Sequence, residues 1–495
     1  MTLSMLVLYI GIVALILTLL VGFKMRGHKS WLMTFLQNFC GTLFVFSGWV
    51  KAVDPLGTAY KMEEYFAEFQ STFSETWFSF LSPVFPWLSE HSVLFSVVMI
   101  VFEIVLGLLL LMGAKTKLTS WAFLLLVGFF AVLTGFTYLT GYVPGDANFF
   151  EFGKWVAFEE TNMKVTDCGC FGDFLKLKPK ISFFKDLVLL VPAFIFIFRH
   201  KDMHRLFSKG FRRAVIWVSI IGLTAYCMSN YMWDVPQVDF RPFKVGVNIG
   251  ERKLMEEEAE SNVQITAYKM TNKATGKVVQ IPYEQYLKEF KNYPKEEWAL
   301  EQIKTEPSVP HTKISDFDIS DIEGNDVTEE ILSDPNYSFM VVAYKIFFDA
   351  KSNLITVNDT TFVVDTIPGE GATGTLTLQK RVASIKPVKM QETTYEFDAN
   401  YRKRYTDIVN PVLEEAEKVG LNIFGITAYA DPGMLDDFRH STQSAYPFYV
   451  ADDILLKTIV RSNPGVVLLK NGKIIQKWHF KKLPSFEKIK ETYFK

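Results

Sequence analysis

Long apolar runs fill the first 232 residues of the chain and are absent beyond them, where charged residues concentrate instead. Six runs approach the roughly 20 residues that cross a bilayer: 3–23, 31–52, 92–112, 118–142, 181–198 and 215–232. The pattern predicts six transmembrane helices followed by a globular region. The first run has no basic segment before it and no small-residue cleavage site after it, so it reads as a retained helix rather than a signal peptide. Basic residues fall in alternate connections: Lys24, Arg26 and Lys29, then Lys115 and Lys117, then Arg199, Lys201, Arg205, Lys209, Arg212 and Arg213. The 66–90 connection carries acids (Glu68, Glu75, Glu90) and no Lys or Arg. Basic short loops stay cytoplasmic, so both termini, the 143–180 loop and everything after residue 232 are expected on the extracytoplasmic side of a cell (inner) membrane. Lys176, Lys178 and Lys180 run against that rule, in a loop whose length and acids blunt it.

Beyond the last apolar run the period changes. Residues 234–249, with Val235-Pro236 and Arg241-Pro242, read as an extended linker because prolines at that density resist helix. Residues 250–310 mix strand-like runs at 263–270 and 277–281 with a polar helix at 283–291. From Lys313 the pattern predicts a small hairpin through Asp316 and the Glu323-Gly324-Asn325 turn, an apolar strand at 339–344, and an irregular insert to about Asp398. It then predicts a helix at 400–419, strand 422–428, helix 434–441, strand 447–450 and helix 454–460. The chain closes with strand 466–469, an Asn471-Gly472 turn, strand 473–478 and a helix from Ser485.

Composition agrees with this split. Of 495 residues, 49% are hydrophobic and 21% charged, which suits a membrane half joined to a globular half. A net charge of −2 provides no basic field, so nucleic acid is discarded as a partner. Four cysteines are too few for a disulfide scaffold, but two of them form Cys168-Gly169-Cys170 outside any apolar run, in a compartment expected to be oxidising.

Three signals in the membrane half carry chemistry. Lys51 and Asp54, at the outer end of the second helix, are three residues apart and can pair; the plainer reading has Lys51 snorkel outward while Asp54-Pro55 ends the helix. Glu103 lies midway along the third helix, where an ionisable group is costly and needs a partner, functional or structural. Cys168 and Cys170 can close only a small, strained ring, which makes a disulfide easier to reduce. A nearby ammonium, Lys51 or Lys185, favours thiolate, and the flanking acids oppose it. Redox cycling and a static staple both remain open, and zinc fits less well because no second Cys or His pair lies nearby. Cys40 and Cys227 read as small buried apolar residues.

Two resemblances follow. The order strand–helix–strand–helix–strand–strand–helix, with Asn463-Pro464-Gly465 before the last strand pair, resembles the thioredoxin-like fold over residues 313–495, of the peroxiredoxin and TlpA type. Active members carry cysteine after the central strand; this chain has none after Cys227, so the redox chemistry of that fold is missing. The resemblance implies a protein-binding surface around Pro464. In the membrane half, Phe46-Ser47-Gly48-Trp49-Val50-Lys51-Ala52-Val53-Asp54-Pro55-Leu56-Gly57, Glu103, Cys168-Gly169-Cys170-Phe171-Gly172-Asp173 and Lys185-Asp186 together resemble the DoxX/MauE superfamily over residues 31–198.

That resemblance implies a four-helix core, here with an added helix in residues 1–30 and another in 199–232, the latter after a basic loop. Residues 233–312 join it to the thioredoxin-like domain. It also implies thiol–disulfide chemistry through Cys168 and Cys170, tuned by Lys51, Asp54, Glu103, Lys185 and Asp186, and exchange with an extracytoplasmic protein client or redox carrier. The core is similar in architecture to quinone-linked thiol oxidoreductases of the DsbB and vitamin K epoxide reductase type, which points to a membrane quinone as acceptor. The competing expectation is a non-enzymatic subunit of a cell-envelope complex with a static Cys168–Cys170 staple. The expected fold class is a polytopic helical membrane bundle plus a soluble α/β thioredoxin-like domain.

Overall fold

The structure is a computed structural model that describes residues 2–25, 28–165, 167–368 and 376–494. Arg26, one member of the first basic cluster, lies outside the described residues. The chain divides into two units. One comprises Met1–Phe317, Thr458–Ser462 and Gly472–Lys482; the other comprises Asp318–Lys457, Asn463–Asn471 and Leu483–Lys495.

Among the described residues, the first unit begins with the α-helices α1 (Leu3–Leu19), α2 (Trp31–Val53), α3 (Pro55–Ser74), α4 (Val84–Glu90), α5 (Ser92–Met112), α6 (Thr116–Leu139), α7 (Pro179–Arg199) and α8 (Lys209–Met228). With their flanking turns, α1, α5, α6, α7 and α8 form, among the described residues, five segments long and apolar enough to cross a membrane. The second expected span forms α2, of 23 residues, which is not among those five. Its sequence carries Thr34, Gln37, Asn38, Thr42, Ser47 and Lys51 among its apolar residues.

Those polar groups are largely used inside the bundle. Gln37 donates to the Leu110 carbonyl at 3.2 Å and accepts from the His204 amide at 2.8 Å. Asn38 donates to the Thr18 hydroxyl at 3.1 Å. The helix packs closely on α5, where a Cβ built at Gly107 would stand 2.8 Å from the Gly41 carbonyl oxygen, so only glycine permits the approach. Phe44, Leu106, Phe123 and Phe196 form a buried cluster that includes Cys40, while Cys227 is buried in a second cluster with Ile100 and Ile104.

Part of the expected 66–90 loop is helical, a correction to the sequence reading. Asp54 does not merely end α2. Its carboxylate accepts from the Gly57 amide at 3.1 Å and caps α3, with Pro55 at the first helical position. α3 mixes Lys61, Glu63, Glu64, Glu68 and Gln70 with its apolar residues, so no long apolar run marks it in the sequence.

After α8 the expected linker is irregular yet packed, with Arg241 and Phe243 fully buried. It leads to α9 (Ile249–Ser261), a helix the strand-like reading of this region omits. Strands β1 (Ile265–Asn272) and β2 (Val278–Pro282) occur near their expected positions, followed by α10 (Tyr283–Glu289). An additional strand, β3 (Trp298–Lys304), completes an antiparallel sheet in the order β2-β1-β3.

The second unit opens on a short hairpin about Gly324: Ser320 bridges Asp326 in antiparallel sense, and the Val327 amide donates to the Ile319 carbonyl at 2.9 Å. Asp321 closes the turn by accepting from the amides of Glu323 and Asn325. Helix α11 (Thr328–Ser333) precedes β4 (Tyr337–Ala343). The expected irregular insert is instead two long antiparallel strands, β5 (Phe348–Pro368) and β6 (Leu376–Phe397), in register from Phe348–Phe397 outward; residues 369–375 lie outside the described residues. Described side chains on both faces of this ribbon are exposed, Leu354 at 77% on one and Val388 at 42% on the other, so no apolar alternation announces it.

The remaining order matches the pattern. A helix runs through α12 (Ala399–Arg404), a π-turn and α13 (Asn410–Lys418) to β7 (Asn422–Thr427), α14 (Pro432–Thr442), β8 (Phe448–Val450) and α15 (Asp453–Ile459). The chain ends with β9 (Gly465–Lys470), β10 (Lys473–His479) and α16 (Phe486–Tyr493). In the second unit β4 is central, parallel to β7 and antiparallel to β9, with β8 parallel to β7 on the far side. Phe339, Val341, Phe424 and Leu468 are buried on this sheet, as expected for strands covered on both faces.

Candidate functional site

A cavity of about 520 Å³ lies within the first unit. Its walls are chiefly apolar, from Leu43 and Phe44 of α2, Phe69 of α3, Phe102 of α5, Phe130 of α6 and Leu189 of α7. Set into them are Lys51, Glu103, Cys168, Cys170, Lys185 and Asp186, so six of the eight site residues expected from sequence share one chamber. Its size and its lining, apolar with a few convergent polar groups, are those of a small-molecule site, typically roughly 300–1,000 Å³.

The charges are paired. Lys51 Nζ stands 2.7 Å from Glu103 Oε2, with side-chain exposures of 6% and 2%, and 5.1 Å over the Phe130 ring. The expected Lys51–Asp54 pairing is therefore not formed, and Lys51 does not snorkel outward. A buried carboxylate one helix away is its nearer partner, because neither ion tolerates burial alone. Lys185 is hydrogen-bonded to its neighbour Asp186, whose second oxygen accepts from the Thr134 hydroxyl at 3.0 Å.

The cysteine loop is built around these groups. Ser47 donates to the Cys170 carbonyl at 2.9 Å, fastening the loop to α2. Asp167 accepts from the Gly169 amide at 3.2 Å and lies 3.4 Å from Lys61 Nζ of α3. Gly169 has φ +59°, and a Cβ there would stand 3.1 Å from Lys61 Cγ, so both conformation and space select glycine. No disulfide joins Cys168 and Cys170. Burial pushes the Cys168 thiol up to about 12, and neighbouring Cys170 and Asp167 add to the shift. Burial also raises Cys170; Lys185 pulls it back, Asp186 opposes that pull, and Lys51 and Glu103 repeat the contest more weakly. The reduced pair is thus held as thiols, whose exchange requires a proton to leave.

Asp54 is placed elsewhere, at the cap of α3. Its carboxylate accepts from Arg461 at 2.9 Å, in the segment Thr458–Ser462 that belongs to this unit. Arg461 also lies 3.5 Å from Asp173 and 5.0 Å over the Tyr60 ring. Sequence reasoning missed Arg461, Lys61 and Thr134. A lone arginine between apolar stretches was the one available sign of the first, and nothing in the sequence named its partners. Pro464 lies in the second unit, follows a cis peptide bond from Asn463 and is buried. Asn463 is held there by Tyr401, which donates to its side chain at 3.0 Å. Presenting Pro464 to a client therefore requires it to be uncovered.

Val98 and Phe102 of α5 and Phe129 of α6 line the cavity and are also exposed, at 57%, 44% and 44%, on two of the membrane-length segments. Compared with known proteins, the chain matches no family model, no curated protein and no solved structure.

Proposed function

We propose that the chain is a polytopic membrane thiol–disulfide oxidoreductase of the DoxX/MauE type. The observation that carries this reading is that Cys168 and Cys170 line the same apolar chamber as two ion pairs, Lys51–Glu103 and Lys185–Asp186. In this reading α2 is the sixth span, since its two side-chain amides, Gln37 and Asn38, are answered by α5 and α1. The basic clusters then lie in the cytoplasm, with the cysteine loop and both termini outside. The order β4–β7–β8–β9–β10 with intervening helices supports a thioredoxin-like domain that binds a protein client.

A client dithiol attacks the Cys168–Cys170 disulfide, passes through a mixed disulfide and leaves oxidised, so two electrons and two protons rest on Cys168 and Cys170. When bound in the chamber, a lipid-soluble quinone supplies a two-electron, two-proton acceptor for their reoxidation. In this reading Lys51 and Lys185, which line the chamber, would donate hydrogen bonds to the quinone, and Glu103 and Asp186, which line the chamber too, would take the thiol protons. The apolar walls exclude water from the exchange.

A second reading, a non-enzymatic envelope subunit stapled by Cys168–Cys170, is favoured by the lack of cysteine after Cys227. Trapping thiols in intact cells with a membrane-impermeant alkylator separates the two. A mixed population of free and oxidised Cys168/Cys170 supports cycling; a pair always oxidised supports the staple.

A further inference from the structure

We propose that Arg461 is a positioning residue for the cysteine loop, reaching it from the far end of the sequence. Its side chain is 5% exposed, and its guanidinium meets carboxylates from two separate places. Asp54 belongs to the cap of α3 and receives the Arg461 Nε at 2.9 Å; Asp173 belongs to the cysteine loop, three residues after Cys170, and lies 3.5 Å from Nη2. Tyr60, on the first turns of α3, stacks beneath the guanidinium at 5.0 Å.

The consequence is geometric. α3 carries Lys61, which holds the entry side of the loop through Asp167 at 3.4 Å. Arg461 fixes the N-terminus of that same helix and the exit side of the loop through Asp173. The two thiols are thus held between anchors that both depend on α3, and Arg461 ties the second anchor to it. A planar fork can serve two carboxylates at once, which an ammonium cannot do with the same geometry. Asp54, expected from sequence to tune the thiols, then acts on them through Arg461 and the loop backbone. The functional weight of this placement rests on the proposed thiol exchange, but the placement itself does not.

The test uses the full-length protein, reduced, in detergent, with the rate of N-ethylmaleimide labelling read separately for each cysteine by peptide mass spectrometry. Arg461→Gln is expected to raise labelling of Cys168 and Cys170 about tenfold, while Cys40 and Cys227, buried in the helical clusters, stay within twofold. Arg461→Lys is expected to recover part of the protection. Asp173→Asn removes the loop arm, along with a pairing to the exposed Lys176 at 3.4 Å, leaves the α3 cap intact and is expected to reproduce the effect if Arg461→Gln does not fold. Unchanged Cys168/Cys170 rates in a folded Asp173→Asn protein, or equal acceleration at all four cysteines, overturns the proposal. A Cys168/Cys170 pair that never cycles in cells in the unsubstituted protein, with the labelling pattern as expected, would instead reject the functional reading and leave the positioning role standing.

Discussion

Lys51 and Glu103 face each other at 2.7 Å inside the helical bundle, 52 residues apart in sequence and both nearly inaccessible to solvent. Each residue alone is an expensive group in an apolar helix, and together they become tolerable. Truncating one partner leaves the other uncompensated, which costs about 3–5 kcal/mol for a buried pair. Lys51→Met and Glu103→Leu are each expected to lower stability by that order, whereas the double variant is expected to recover much of the loss. Denaturation in detergent for the three variants and the parent measures the coupling. Additive losses would show that the pair is not formed.

Reactivity of the cysteine pair is expected to rise steeply with pH. The Cys168 thiol is raised to about 12 and Cys170 is raised as well, so at pH 7 both are protonated. Thiolate is the nucleophile, and below the pKa its fraction grows about tenfold per pH unit. Iodoacetamide labelling of the reduced protein should still be climbing at about pH 10, above the ordinary thiol range near 8.5. A plateau by about pH 8 would mean that the thiols are activated rather than suppressed.

Entry of the proposed quinone past the exposed lining of α5 makes a prediction about ligand length. Val98 is exposed and lines the cavity on α5. Val98→Trp is expected to narrow that entry, slowing turnover with a long-chain quinone about tenfold while sparing a short-chain analogue. Equal slowing with both would place the entry elsewhere.

At the loop itself, Gly169→Ala meets a positive φ and Lys61 Cγ at 3.1 Å. A strained backbone of this kind costs about 1–3 kcal/mol. The thermal midpoint of the reduced protein is expected to fall, with labelling of Cys168 and Cys170 increased. No change in either would show that the loop is not held in this conformation.

Five membrane-length segments and the alternating strands and helices after Ala399 were legible because each has one apolar period over many residues. Six of the eight expected site residues meet in one chamber for a related reason: an ion or a thiol pair among apolar helices and their loops is rare enough to mark itself. What was hidden depended on partners distant in sequence. Arg461 meets Asp54 407 residues away, and Lys51 prefers a glutamate on another helix to the aspartate one turn along. The β5–β6 ribbon was hidden for the opposite reason, since exposure on both faces leaves no pattern of burial to read. α3 was obscured by the charged and polar residues mixed among its apolar ones.

The central claim, that electrons pass from extracytoplasmic thiols through Cys168 and Cys170 to an acceptor in the chamber, is tested most directly by reconstitution. The full chain in liposomes containing a lipid-soluble quinone is given a membrane-impermeant dithiol, and quinone reduction is followed by absorbance. The account predicts reduction at least about tenfold faster than in protein-free liposomes, lost in both Cys168→Ser and Cys170→Ser. Equal rates in the parent and both serine variants would contradict it.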